Sequence, residues 1–251
     1  MAENPQSVGA GGFIRTLPSP APNSTPTTKS TTSLPHPRVR PLLPGSAKED
    51  KVRNYVEGQL RYISRRYIKS FAVEEPGDTV VGYHSMGELC RDVEALVNIL
   101  WLSATPSLQI PYLLNIAGSL TEWVTHFPPS PKPTFSLLGK LDHCFASLLL
   151  GRVIATKEPL PGFEAGSNLG MSVTDKIRCK SIVEQTRLLI VEVMSRPQVE
   201  ELGDEEMDDD RPVAIESDSE GLGDADDDDD DLYMGVATVY ENTLVQLGES
   251  L

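Results

Sequence analysis

Two low-complexity flanks of opposite charge limit where this chain can build a core. Residues 198–231 hold eighteen Asp/Glu against the single Arg211 and close on six consecutive aspartates, Asp226 to Asp231. Residues 1–71 hold eleven Lys/Arg against four Asp/Glu. Their first part is punctuated by Pro18, Pro20, Pro22, Pro26, Pro35, Pro37, Pro41 and Pro44, with Ser and Thr filling many of the gaps. Neither composition supplies enough apolar surface to offset the entropy of ordering. The expected organisation is therefore a disordered, basic, Pro/Ser/Thr-rich arm over 1–45 and a folded domain over 46–196. A disordered acidic linker over 197–231 and a short C-terminal helix within 232–251 would follow. A folded segment of that length is about one ordinary domain.

Within 46–196 the apolar spacing is helical. Ser46-Ala-Lys-Glu49 reads as a capping box, in which a serine oxygen takes a free amide of the first turn and the glutamate reaches back. Val52, Val56, Leu60, Ile63, Tyr67 and Phe71 follow at intervals of three and four, the signature of one helix face. Ser85-Met-Gly-Glu88 repeats the box ahead of Leu89, Val93, Leu96, Val97 and Leu100. A third helix is expected to begin or kink at Pro111 and to run to Phe127, since proline is tolerated only in a first turn. Phe127 to Pro133 reads as a stiff connector and Thr134–Leu150 as a fourth helix, with Gly151 where a C-terminal glycine belongs. Ser172-Val-Thr-Asp175 opens a fifth helix, whose apolar positions (Ile177, Ile182, Val183, Leu189, Ile190, Val193) continue to Pro197. Leu232 to Leu247 could form a last helix that docks back or binds a partner. Val80–Tyr83 is the one short strand candidate, and no repeat of fixed period is evident. The expected fold is all-α, a single bundle of about five helices.

Three cysteines, Cys90, Cys144 and Cys179, sit far apart inside apolar helical patterns, which fits reduced, buried thiols in a cytoplasmic or nuclear protein. The opening residues have neither a basic nor an apolar signal region, so a secretory signal is not expected. No apolar run approaches the ~18 residues that span a bilayer, so no membrane partner is expected.

Catalytic signals are weak. Gly139-Lys140 is followed by Leu141 and has Thr134 where a P-loop needs its first glycine, and it lies in a helical pattern. Gly162, Gly166 and Gly170 lack the strand-then-helix context of a phosphate loop. No clustered Cys and His offer a zinc set. Asp142-His143-Cys144 are chemically reactive types, but neighbouring helix residues point about 100° apart and cannot converge alone. The reading is no enzyme, no cofactor, no metal and no catalytic residue.

What remains is binding. Arg61, Arg65, Arg66 and Lys69, interleaved with Tyr62 and Tyr67, are the candidate contacts for nucleic acid or a protein partner, since arginines meet phosphates and tyrosines stack on bases. The acidic stretch has three readings: a solvating tail, a binder of histones or another basic protein, or a brake folded over the basic helix. Ser19 and Thr25, each before a proline, are candidate phosphorylation sites. Ser217, followed by acids as casein-kinase-type enzymes prefer, is a third.

Three blocks, Arg61–Lys69 (RYISRRYIK), Thr105–Ala117 (TPSLQIPYLLNIA) and Phe135–Ser147 (FSLLGKLDHCFAS), resemble a poorly characterised filamentous-fungal family often labelled "meiotic recombination protein". The resemblance extends from Ser46 to about Met194. It implies a nuclear, meiotic setting. The strand-exchange ATPase that the label evokes is contradicted by the missing P-loop and strand-helix alternation. The resulting expectation is a non-enzymatic nuclear or nucleocytoplasmic adaptor, an accessory factor in meiosis or chromosome biology. The alternative is a nucleic-acid- or histone-associated factor whose acidic tail modulates the basic helix.

Overall fold

The computed structural model describes residues 34–73, 77, 79–163, 170–196 and 233–250. Six helices are named here: α1 (Ala47–Lys69), α2 (Met86–Ser103), α3 (Pro106–His126), α4 (Pro131–Leu150), α5 (Val173–Met194) and α6 (Glu241–Ser250). A further helical turn covers 233–238. The fold is all-α. Among the described residues the only β pairing is an isolated bridge between Arg152 and Pro159. The strand candidate Val80–Tyr83 is instead a connector, held where the Tyr83 N–H donates to Ser70 Oγ at 2.7 Å.

The helix starts follow the capping chemistry with one variation. Ser46 and Ser85 accept the Glu49 and Glu88 N–H groups at 3.2 and 3.3 Å. Each glutamate then reaches one residue further back than a capping box requires, Glu49 to the Gly45 N–H and Glu88 to the His84 N–H. At α5 the box is complete, with Ser172 and Asp175 bonded reciprocally. Gly151, at φ 67°, closes α4 in the left-handed conformation that glycine adopts without a Cβ penalty.

Two boundaries differ from the sequence expectation, both because of proline. α3 starts at Pro106, in the first helical position, and continues through Pro111. α4 takes in Pro131 and Pro133, since a first turn has no intrahelical use for their missing N–H groups.

Helix α2 is the hub, packing on α1, α3 and α4, while α3 also packs on α5. Leu89, Val93, Val97 and Leu100 of α2 meet Leu113, Leu120, Leu137, Leu141 and Phe145 in one continuous core. Helix α6 closes the far side against α4 and α5. The proline-rich arm also joins the core before Ser46. Leu42 is buried, and its N–H donates to Thr105 Oγ1 at 2.9 Å, so the arm assigned to 1–45 is docked in its last part.

The ends of α1, α3 and α5 meet the starts of α2 and α4 at one end of the bundle. Phe71 lies 5.7 Å from His126 and 5.6 Å from Phe127, ring centre to ring centre. Arg196, just past α5, donates to the Thr125 carbonyl. A Cβ on Gly87 would touch Pro133.

Candidate interaction surfaces and a buried carboxylate

The basic helix presents a split set. Arg61, Arg65 and Lys69 fall at i, i+4 and i+8, in one row on the side of α1 opposite its buried Val56, Ile63 and Tyr67. With Leu60, Ser64 and Ile68 they line a shallow surface groove. Arg61 spends one donor on the Glu57 carbonyl within its own helix. Arg65 makes no hydrogen bond or ion pair among the described residues.

Arg66 parts from this row because the next helix position is rotated about 100° toward α2. Its Nε donates to the Val81 carbonyl at 3.0 Å and its Nη1 to Asp92 Oδ2 at 2.9 Å. Glu88 lies 3.6 Å from Nη2. The guanidinium sits 4.0 Å from the centre of the Tyr83 ring, whose hydroxyl donates to the same Asp92 oxygen. Burial, and then this bond to Asp92, pushes the Tyr83 phenol well above its ordinary range. Arg66 is thus a fastener between α1 and α2, unlike the outward row. Ser19, Thr25 and Ser217 lie outside the described residues, as does the acidic run.

The reactive-looking trio of α4 is taken up by packing. Asp142 is 5% exposed. Its Oδ1 accepts the Thr243 N–H and hydroxyl, both at 2.7 Å. Its Oδ2 accepts the Asn242 side-chain amide at 2.8 Å and backbone N–H at 3.3 Å. A carboxylate on α4 therefore caps the N-terminus of α6, where free N–H groups and the helix dipole favour negative charge.

His143 points elsewhere, edge-on to Trp101 at 5.4 Å, and burial lowers its pKa against the opposing pull of Asp142. Cys144 is fully buried and its thiol is pushed far up by loss of solvent. Lys140, the would-be phosphate lysine, donates to Glu94 Oε2 at 3.1 Å. Among the described residues no group of three or more His, Cys, Asp or Glu could hold a metal ion. None of the described helices is long and apolar enough to cross a membrane.

The rest of the C-terminal segment is fastened at several points. The Val239 carbonyl accepts from Arg187 of α5 at 2.7 Å. Tyr240 is buried beside Phe145 and takes φ 55°, a region L side chains seldom visit. Gly235 lies against Phe135 so closely that a Cβ would fall 2.7 Å from the ring.

A second surface was not singled out by the sequence reading. Val173, Ile177, Leu188 and Val191 line the outward side of α5, with Leu188 75% and Val173 68% exposed. Cys179, Val183, Ile190 and Val193 face the core. The available signal was that the apolar residues of α5 do not keep to one stripe, although Arg178, Lys180, Glu184 and Glu192 share its solvent side.

The family model described as TFB6, subunit 11 of the general transcription factor TFIIH, matches residues 82–248, from just before α2 into α6. An uncharacterised protein of Schizosaccharomyces pombe is 26% identical over 152 residues, which cover 59% of this chain and 82% of that protein. No solved structure matches the chain. The meiotic label of the resembling fungal family has no counterpart in these matches.

Proposed function

Because the chain belongs to the TFB6 family, described as subunit 11 of the general transcription factor TFIIH, we propose that it is a nuclear protein-binding subunit. It acts by contact with TFIIH rather than by catalysis. The observation that carries this reading is the coincidence of the family match with the exposed apolar side of α5. The match spans α2 to α6, and α5 is the helix within it that leaves Val173, Ile177, Leu188 and Val191 in solvent. Exposed apolar surface on a helical bundle marks a protein-binding site when it is contiguous, and here two apolar pairs, Val173 with Ile177 and Leu188 with Val191, flank the polar Lys180 and Glu184 on that side of α5. In this reading TFIIH covers that side of α5, and the rest of the bundle holds the helix rigid.

The basic row of α1 lies outside the matched residues, so the match lends no support to histone or nucleic-acid contact. The test is recovery of the tagged full-length protein from its native cells, with mass spectrometry of what accompanies it. Stoichiometric TFIIH subunits that persist at ~1 M salt, where exposed ion pairs are screened within ~3 Å, are the expected result. Recovery of a well-folded protein without TFIIH subunits would overturn the proposal.

A further inference from the structure

On the outward face of α1, Arg61 and Arg65 stand one turn apart beyond Glu57, and Arg65 makes no hydrogen bond or ion pair among the described residues. The chain itself supplies the complement. The described chain stops at Arg196 and resumes at residue 233, and both points lie at the end of the bundle where α1 terminates. Arg196 touches Thr125, and the adjacent His126 packs on Phe71, two residues beyond α1. Gly235 sits on Phe135. Thr125 and Phe135 are ten residues apart in sequence, which bounds their separation at about 36 Å. The intervening residues 197–232 could reach about three times that distance, so they carry far more length than the crossing needs.

We propose that the groove of α1 lined by Leu60, Arg61, Ser64, Arg65 and Ile68 is the docking site for this chain's own acidic segment, residues 198–231. Charge selects the occupant: eighteen carboxylates against one arginine meet cations repeated once per helical turn. Tethering at both ends holds the segment at an effective concentration of order millimolar, so individually weak, solvent-screened pairs add up. The row is then reserved from outside polyanions for as long as the segment is bound. This role is independent of the TFIIH reading, since α1 precedes the matched residues.

The test uses two full-length proteins, the natural chain and one with every Asp and Glu of 198–231 replaced by Asn or Gln. Backbone amide resonances of α1 are compared at ~50 mM and ~1 M salt. Resonances of 61–69 should differ between the two proteins at low salt and converge at high salt, and R61Q/R65Q should abolish the difference. The neutralised chain should also bind a short single-stranded DNA at least ~10-fold more tightly at low salt. Superimposable α1 spectra at low salt would overturn the proposal, as would equal DNA affinity. Perturbations that vanish on dilution would assign the site to a second copy and equally overturn it.

Discussion

Asp142 and Thr243 lie 101 residues apart and share one carboxylate oxygen, which accepts both the backbone N–H and the hydroxyl of Thr243 at 2.7 Å. Helix caps are usually local in sequence. Here the cap of α6 is supplied by a different helix, so the bond that starts α6 is also the bond that docks it.

Asp142→Ala should therefore release the C-terminal segment more than it damages the core. It strands the exposed Asn242 and the buried Thr243 N–H groups at the start of α6, at a cost of about 2–3 kcal/mol. Hydrogen exchange of amides in 241–250 should accelerate well beyond that of α2. Uniform acceleration across all helices would contradict a docking role.

Arg66 and Arg65 are neighbours with opposite predicted sensitivities. Arg66→Ala removes two hydrogen bonds and a stack on Tyr83 and should cost about 1–3 kcal/mol in urea unfolding. Arg66→Lys should recover little, because a lysine cannot reproduce the planar fork. Arg65→Ala should stay within about 0.5 kcal/mol of the natural chain. Equal effects at both positions would refute the split.

The buried thiols set a limit at alkaline pH. Burial pushes Cys90 and Cys179 up to about 12, and Cys144 further still. In the unfolded chain a thiol ionises near 8.5. The unfolded state therefore releases protons first as pH rises, and stability falls between about pH 8.5 and 12, at up to ~1.4 kcal/mol per pH unit per thiol. Thermal melting across that range should show the decline. At neutral pH a disulfide reagent should label the native protein far more slowly than the urea-unfolded chain, and rapid native labelling would contradict the burial.

The pair of Lys140 and Glu94 joins α4 to α2 with little solvent around the lysine. Lys140→Met alone leaves Glu94 without its counter-charge and should cost about 1–3 kcal/mol. Adding Glu94→Leu should recover much of that loss, because two apolar groups need no partners. A double variant as unstable as the sum of the singles would count against coupling.

Local chemistry made the bundle readable from the chain. The serine caps of α1, α2 and α5 and the glycine after α4 act within a few residues, so their spacing shows in sequence. Proline misled where a first turn tolerates it: Pro111 resembled a start, while Pro106 holds that place. Leu42 gave no signal because the pair Leu42-Leu43 between prolines shows no helical or strand period, and Leu42 finds its partner, Thr105, only after folding. Arg66 could not be told from Arg65 without knowing which way α2 lies. The apolar positions on both sides of α5 were legible as hydrophobic, but not as half exposed. The cap from Asp142 was invisible because its partners are a hundred residues downstream.

The proposed seat of TFIIH is the outward side of α5. The most direct measurement compares the natural chain with L188D/V191D and with R61Q/R65Q, each tagged and recovered from native cells at ~1 M salt. Both side chains of the α5 variant are exposed, so all three proteins should melt alike. TFIIH subunits should accompany the natural chain and R61Q/R65Q and be lost from L188D/V191D. Undiminished recovery with L188D/V191D would contradict that seat.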